Sequence, residues 1–287
     1  MTYSIVARDP ATGALGVGVQ THQPSVGAIV PWVKAGVGAI ATQSFANINF
    51  GPQGLALLEN GLDSSRTLAA LVAGDTSPGV RQLAVIDDSG APAAHTGADC
   101  IPFAGHLIGE QFSCQANMMT GAGVPEAMAA AFQAAEGLLA TRIMAALEAA
   151  QIARGDIRGS QSAAILVREP GPLSPTWDLR IDNSEQPLFE LRGLLNIRLA
   201  GQLLSAESIN RSTSLEAARA KFAAAEALHS SHEQTFWFAV NSLTAMEQLD
   251  EAQALLEPLF AVAPQWRELL ERLELPGALA IKPRFGL

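Results

Sequence analysis

Short apolar runs separated by turn residues fill the sequence up to about residue 183, which is typical of β-strands. An opening hairpin is predicted, with strands at residues 3–8 and 14–21 joined by the turn Asp9-Pro-Ala-Thr-Gly13. Further strands are predicted at residues 37–43, 81–86, 91–96, 112–117, 162–167 and 176–181.

Two pairs of helices are predicted between these strands, at residues 52–59 and 64–73 and at residues 125–135 and 138–150. Asp63 precedes the second helix and is a suitable N-cap. Because strands come in blocks and helices in pairs, the pattern favours a mainly antiparallel α+β fold in which helix pairs cover sheets.

The region from residue 188 to 287 is rich in leucine, alanine and glutamate at helical spacing, so we predict two domains, 1–187 and 188–287. A shift of 34 residues places Ala218 on Ala252, and this period is the tetratricopeptide signature. Trp237, Ala252 and Pro264 have the spacing of one complete unit. An ordinary helical hairpin with a chance match remains the alternative.

Capping boxes are predicted at two helix starts in this region, formed by Thr213 with Glu216 and by Ser230 with Glu233. A last helix is predicted at residues 265–273. So short an array leaves apolar surface uncovered, and we therefore expect it to dock on the first domain or on a second subunit, giving a homo-oligomer.

Composition narrows the classes of partner. Hydrophobic residues make up 48% of the 287 residues and the net charge is −10, which suits a large core and disfavours nucleic acid and anionic membranes as partners. No apolar run reaches membrane-spanning length, and the first residues lack the features of a signal peptide. With only two cysteines, a disulfide framework is not expected. We expect a cytoplasmic protein.

Thr2 is the first candidate for chemistry, because it directly follows Met1 at the start of the first predicted strand. Methionine aminopeptidases remove Met1 when the next side chain is small. A first-residue threonine would then combine a hydroxyl nucleophile with its own α-amine as the base. A mobile terminus without function is the alternative.

Other candidates lie near one predicted cleft. Lys34 precedes a glycine-rich strand, where an apolar wall would lower the pKa of its amine. Gln20, His22, Ser44 and Asn47 follow strand ends and would orient a substrate amide, and the turn at residues 44–47 would supply an oxyanion hole. The alternative is that the residues at the strand ends only cap turns and that Lys34 is an ordinary solvent-exposed lysine.

A metal site is the weaker possibility. His95, Cys100, His106 and Cys114 are close in sequence, but their spacing has no Cys-x-x-Cys or His-x-x-x-His element. We therefore predict neither a metal nor another cofactor.

Dispersed motifs carry a resemblance over about residues 1–185. They are Tyr3-Ser-Ile-Val-Ala-Arg-Asp9, residues 16–44, Gly51-Pro-Gln-Gly54, Ala94-His-Thr-Gly97, Ala104-Gly-His106, Gln115-Ala-Asn-Met-Met119 and Gly155-Asp-Ile-Arg-Gly-Ser-Gln-Ser162. The sequence resembles the bacterial and archaeal domain-of-unknown-function family 1028. That family is similar to the N-terminal-nucleophile hydrolases, which include proteasome β subunits. The resemblance implies a four-layer αββα sandwich of two antiparallel sheets between helix layers.

The resemblance also implies roles for two residues. In those hydrolases the nucleophile is the first residue of the first strand, which is Thr2 here, and Lys34 is similar in placement to their assisting lysine. The aspartate that proteasome subunits carry in the second strand is missing from residues 15–21.

The leading hypothesis is an amidohydrolase acting on a small amide or short peptide. A non-catalytic ligand-binding or assembly protein of the same fold, and a metal-dependent hydrolase using His95 and His106, are the alternatives.

Overall fold

The computed structural model describes residues 2–171, 176–205 and 214–287. The chain divides into two compact units, one ending at Arg192 and the other beginning at Gly193. The first unit contains two antiparallel sheets with helices packed on them, so the α+β prediction is confirmed.

All strand pairs in both sheets are antiparallel. The six-stranded sheet has the order β10-β9-β2-β1-β8-β7, and the four-stranded sheet has the order β3-β4-β5-β6. In chain order the strands are β1 Thr2–Arg8, β2 Leu15–Thr21, β3 Pro31–Lys34, β4 Gly38–Ser44, β5 Arg81–Asp87, β6 Pro92–Thr96, β7 Gly105–Gly109, β8 Phe112–Asn117, β9 Ser162–Arg168 and β10 Thr176–Ile181.

Helices contact the outer face of each sheet. The first pair contacts the four-stranded sheet and the second pair contacts the six-stranded sheet, while the two sheets also contact each other. Apolar residues such as Val6, Val17 and Ala41 fill the space between the sheets. The helices are α1 Phe50–Glu59, α2 Ser64–Ala73, α3 Val124–Ala134 and α4 Leu139–Ile152, followed by α5 Pro187–Leu203.

Glycines on β2 allow α4 to approach the six-stranded sheet closely. A Cβ on Gly18 would lie 2.3 Å from Ile143 Cγ2, and one on Gly16 would lie 2.8 Å from Ile143 Cδ1. The side of β2 that carries Gly16 and Gly18 therefore faces α4, and the alternate residues face the other sheet.

The opening hairpin is confirmed, and Asp63 caps α2 by accepting a hydrogen bond from Arg66 N at 2.8 Å. Strands β3 and β7 were not predicted from the sequence. Both are short edge strands, and each begins at a proline or glycine, so neither gives a long alternating pattern.

The second unit has a core of its own, in which Ala218, Phe236, Leu256 and Ile281 are buried. Its helices are α6 Leu215–Leu228, α7 His232–Trp237, α8 Leu249–Val262, α9 Gln265–Arg272 and α10 Pro276–Ile281, with a π-helical segment at Phe238–Leu243. Helix α9 confirms the helix predicted near the end of the chain.

One predicted cap in this unit is wrong by a residue. The N-cap of α7 is Ser231 and not Ser230. The Oγ of Ser231 accepts a hydrogen bond from Gln234 N at 3.3 Å. Thr213 lies outside the described residues, and α6 is capped by Ser214.

Within the described ranges, no helix is long and apolar enough to cross a membrane.

Candidate functional site

Thr2 lies at the first position of a central strand. Strand β1 has β2 on one side and β8 on the other, so Thr2 pairs with Thr21 and with Asn117. Thr2 is only 5% exposed. A residue at the tip of a strand is usually frayed, and its burial here requires specific partners.

Side chains from three other strands hold Thr2. Its hydroxyl donates to Thr21 Oγ1 on β2 at 3.1 Å. Its carbonyl lies 3.4 Å from Gln43 Nε2 on β4 and 3.3 Å from Asn117 Nδ2 on β8. The backbone and the hydroxyl of Thr2 are therefore fixed together, as a positioned nucleophile requires.

The Thr2 carbonyl is joined to a buried polar cluster between the two sheets, which we call the carboxamide network. Ser4 Oγ donates to Gln43 Oε1 and accepts from Gln115 Nε2, both at 2.6 Å. Gln82 Oε1 accepts from Gln43 Nε2 at 2.6 Å and from Asn117 Nδ2 at 2.9 Å. All five side chains are nearly inaccessible to solvent.

Gln82 is the centre of this network. Its Nε2 lies 2.9 Å from Thr96 Oγ1, 3.1 Å from the Gly105 carbonyl and 2.9 Å from the Ala116 carbonyl. One carboxamide thus joins β5 to neighbouring strands of both sheets.

The carboxamide network is uncharged, which limits its chemistry. Amides and hydroxyls donate and accept hydrogen bonds, but they are poor proton acceptors at neutral pH. Among the described partners of Thr2, none could act as a general base. If the hydroxyl of Thr2 attacks a substrate, the α-amine of Thr2 is the group that remains to take its proton.

Lys34 lies far from Thr2. Its Nζ forms an exposed ion pair with Glu59 Oε1 at 2.5 Å. Lys34 pairs with Gly38, and Gln43 lies five residues further along β4, or about 17 Å away at the usual strand rise. The β3–β4 hairpin therefore separates Lys34 from Thr2, and sequence spacing was a poor guide to its position.

Gln20 lies on the other face of the six-stranded sheet. Its neighbour Thr21 bonds Thr2 between the sheets, so Gln20 must point towards α4, like Gly18. Gln20 is fully buried, and within the described residues its amide nitrogen and oxygen have no hydrogen-bond partner. It therefore does not share a cleft with the hydroxyl of Thr2.

His22 contacts a loop that follows α4. Its backbone N–H donates to Asp156 Oδ2 at 3.1 Å, while its buried Nδ1 has no partner within the described residues. Asp156 also pairs with Arg158 at 3.2 Å.

Burial, and to a lesser extent the charge of Asp156, raises the pKa of Tyr3. The Tyr3 hydroxyl therefore stays protonated, and it donates to Gln151 Oε1 at 3.1 Å.

Ser44 is the last residue of β4 and Asn47 lies in the loop that follows, at the same end of the sheet as Gln43. Ser44 has a positive φ of 66°. The Asn47 carbonyl accepts from Thr42 Oγ1 at 3.2 Å. The Phe45 N–H donates to the Val80 carbonyl at 3.3 Å, so this donor of the predicted oxyanion hole is already engaged.

Both histidines considered as metal ligands have other hydrogen-bond partners. His95 Nε2 lies 3.0 Å from the Pro78 carbonyl, and His106 Nδ1 lies 2.8 Å from Thr96 Oγ1. Burial, and secondarily His95, lowers the pKa of His106, while burial raises the pKa of Cys114. Over the described ranges, no three His, Cys, Asp or Glu residues form a group suited to a metal ion.

The carboxamide network was not predicted from the sequence. Its signal was present, since Gln43, Gln82, Gln115 and Asn117 are polar residues within segments predicted as strands. A polar residue at a core position is more informative than an apolar one on the surface. Only the pairing of strands across both sheets, however, reveals that these side chains meet.

The fold and its site define a two-sheet α+β protein with a buried strand-tip threonine. The chain belongs to a family of unknown function, DUF1028, whose match covers residues 2–191. It is similar to the crystal structure of protein SPO2555 from Silicibacter pomeroyi, which is assigned to the same family. The two share 30% identity and a TM-score of 0.64, over 73% of this chain and 92% of that one. No curated protein matches the chain.

Proposed function

We propose that this protein is an N-terminal-nucleophile amidohydrolase that cleaves a small amide or a short peptide with Thr2. The strongest argument for this proposal is that side chains from β2, β4 and β8 form hydrogen bonds with Thr2. A strand-tip residue held in this way is pre-organised, and pre-organisation of a nucleophile is a major source of rate acceleration.

In the proposed reaction, whatever precedes Thr2 is first removed, so that its α-amine is free. The amine takes the hydroxyl proton as Oγ1 attacks the substrate carbonyl carbon, and it then gives that proton to the leaving amine. The resulting acyl ester on Oγ1 is hydrolysed by water, which regenerates Thr2. Lys34 has no part in this scheme because of its distance from Thr2.

The arrangement of the first unit supports an N-terminal-nucleophile hydrolase fold. Two antiparallel sheets contact each other, and one helix pair contacts each sheet, which is the layer order of the αββα sandwich. Fold alone does not define a reaction, so the chemistry rests on Thr2 rather than on this likeness.

We also propose that the second unit is a short tetratricopeptide-like array with a binding role. Ala218 on α6 and Ala252 on α8 are 34 residues apart, and both are completely buried. The rings of Phe222 and Phe238 stack with centroids 4.4 Å apart. Small buried residues at the repeat distance are what close packing of successive helix pairs requires.

A non-catalytic binding protein is the second candidate. It is favoured by the engagement of the Thr2 hydroxyl with Thr21 and by the low exposure of Thr2. In that case the hydroxyl would hold the strands together and would not meet a substrate.

The decisive experiment compares two full-length proteins, one beginning at Thr2 and one extended by a single residue before it. We expect only the first to hydrolyse a library of acyl p-nitroanilides and to form a mass-detectable adduct on Thr2 with a β-lactone probe. Thr2→Ala should abolish both signals, a loss of about 10³-fold or more in rate. Thr2→Ser should retain measurable turnover.

Thr141→Ala, a substitution on α4, is the matched control and should leave turnover unchanged. Equal activity of the trimmed and extended proteins would refute the role of the α-amine. An adduct-free, inactive trimmed protein would leave the binding protein as the better account.

A further inference from the structure

Exposed apolar side chains lie on the loops beside the end of β1 that carries Thr2. Phe45 is 59% exposed and Phe103 is 55% exposed, and Ile101 and Ile157 are exposed as well. We call these four residues the apolar rim. Large apolar side chains are mostly buried in a folded domain, and a group of exposed ones on neighbouring loops indicates a surface that binds something.

Backbone hydrogen bonds hold Ile101 and Phe103 next to the end of β8. Their carbonyls accept from the N–H groups of residues 118 and 119, at 3.2 and 3.4 Å. These two donors directly follow Asn117, which pairs with Thr2. Both apolar residues are therefore fixed within two residues of the strand position opposite Thr2.

Phe45 is held in the same way at the end of the four-stranded sheet. It lies two residues after Gln43, whose Nε2 contacts the Thr2 carbonyl. The Phe45 N–H donates to the Val80 carbonyl at 3.3 Å, and the Phe45 carbonyl accepts from Arg81 Nη1 at 2.5 Å. A fixed backbone that presents an exposed apolar side chain loses little conformational entropy when a ligand covers that side chain.

Ile157 lies on the side of β1 that faces β2. It follows Asp156, whose Oδ2 accepts from the backbone N–H of His22. His22 is the residue after Thr21, and Thr21 Oγ1 accepts from the hydroxyl of Thr2. The apolar rim therefore has members beside β8, β4 and β2, the three strands whose side chains contact Thr2.

Backbone conformation sets this end of the first unit apart. Among the described residues, seven that are not glycine have a positive φ. Five of them lie in the loops or at the strand ends near Thr2, namely Ser25, Ser44, Phe103, Met118 and Arg154. Left-handed backbone is unfavourable for such residues, and where the surrounding structure maintains it, it is concentrated at ligand-binding sites. Phe103 combines a φ of 57° with an exposed side chain.

The loops that carry Phe45, Ile101 and Phe103 have little charge. Residues 45–49 and 97–104 contain one charged residue, Asp99. A charged group placed between these loops would lose hydration without gaining an opposite charge. An alkyl or aromatic group would instead remove apolar surface from water on both sides.

The geometry points to the apolar rim as the binding site for an apolar acyl group, joined to the carbonyl carbon that Thr2 attacks. The acyl group stays attached to Oγ1 until water releases it, so contacts with it stabilise both steps of the reaction. This substrate class rests on the proposed hydrolase activity, but binding at the apolar rim can be measured without turnover.

The test uses full-length Thr2→Ala protein, so that hydrolysis does not consume the ligands. Equilibrium dialysis measures the Kd of the p-nitroanilides of acetic, butanoic and hexanoic acid from their absorbance. We expect Kd to fall about twofold for each added methylene, since complete burial of one methylene corresponds to about fourfold. The mono-p-nitroanilide of glutaric acid, whose chain ends in a carboxylate, should bind no more tightly than the acetic compound.

Phe45→Ser combined with Phe103→Asn should raise the Kd of the hexanoic compound about tenfold and that of the acetic compound by less than about twofold. Asparagine is used at position 103 because it tolerates left-handed backbone. Ile108→Asn, which removes an exposed apolar side chain of β7, is the matched control and should change neither value. Both rim side chains are exposed, so the double variant should fold, as checked by thermal melting.

Equal binding of the three chain lengths, or no measurable binding of any anilide, would overturn the assignment of the apolar rim. A dimer in sedimentation experiments that the double variant abolishes would show that a second copy covers the rim, and would overturn it too. Turnover that depends on Thr2 would survive either result. Conversely, length-dependent binding that the double variant loses, without turnover by the protein that begins at Thr2, would support the apolar rim and remove the hydrolase.

Discussion

At the scale of single residues, the carboxamide network is the main determinant of the site. Gln82 accepts from Gln43 and Asn117, and both of those side chains also contact the Thr2 carbonyl. Buried amides of this kind stabilise a structure only while every partner is present, because each unsatisfied group costs about 1–3 kcal/mol. The position of Thr2 therefore depends on side chains that a substrate need never touch.

Replacing Gln82 with methionine should be strongly destabilising. The change keeps the approximate shape but removes the closest acceptor of two buried donors, Gln43 Nε2 and Asn117 Nδ2, which keep only contacts of 3.3–3.4 Å. It also removes the buried donor that three oxygen atoms share. We expect the free energy of unfolding to fall by at least about 3 kcal/mol, measured by urea denaturation and circular dichroism. Gln133→Met, at an exposed position of α3, should change it by less than about 0.5 kcal/mol. Equal effects of the two changes would contradict this account.

Part of the site could be predicted from the sequence. The strand that begins beside Thr2 was predictable, because hairpin strands and turn chemistry are local signals. Spacing along the chain suggested that Lys34 lies near Thr2, but the β3–β4 hairpin carries Lys34 to the far end of its sheet. Gln20 was expected to share a cleft with Ser44, but alternation along β2 turns Gln20 towards α4.

At the scale of elements, the contact between β2 and α4 depends on the absence of a side chain at Gly18. Ile143 and Leu147 of α4 occupy the space that a Cβ on Gly18 would need. The helix can therefore approach the strand next to β1, whose first residue is Thr2.

Gly18→Ala should destabilise the protein by about 1–3 kcal/mol, because the new methyl group would lie 2.3 Å from Ile143 Cγ2 and force α4 to shift. Thermal unfolding measured by calorimetry provides the readout. Gly105→Ala on β7 is the matched control, since no atom lies within 4 Å of the Cβ it would add. A similar loss from both substitutions would show that backbone freedom, and not the α4 contact, is responsible.

Asp87 joins the end of β5 to the start of α2. Its Oδ2 accepts from Ser64 N and Ser64 Oγ, both at 2.8 Å, and Ser64 Oγ also accepts from Asp87 N. Burial disfavours the carboxylate, but hydrogen bonds from Ser89 and Ser64 outweigh it and hold the pKa of Asp87 below its usual range.

This lowered pKa has a defined effect on stability. The stabilisation from Asp87 is complete above the unfolded-state pKa of about 4 and is lost as the pH falls through the lower folded-state value. Asp87→Asn should cost about 1–2 kcal/mol at pH 7, and the difference from the unaltered protein should shrink below about pH 4. Urea denaturation from pH 7 to pH 2.5 measures both, with exposed Asp182→Asn as the control. A gap that stays constant with pH would refute the assignment.

For the whole molecule, the fold class could be predicted because strands in blocks and helices in pairs are visible as periodicity. Two of the four edge strands, β3 and β7, could not be predicted, since four- and five-residue runs at a proline or glycine resemble loops. The site was harder still, because its members come from β1, β2, β4, β5 and β8. Their meeting is a property of the register across two sheets, which no local pattern encodes.

The carboxamide network also bears on how such sequences diverge over time. The side chains of Ser4, Gln43, Gln82 and Asn117 each bond at least two neighbours, so a single substitution removes a hydrogen-bond partner from several buried groups at once. The effects of substitutions at these positions should therefore be strongly epistatic. Related sequences should either keep all of these residues or replace several of them together. Correlated change between β1, β4, β5 and β8 would be the evolutionary imprint of this interior.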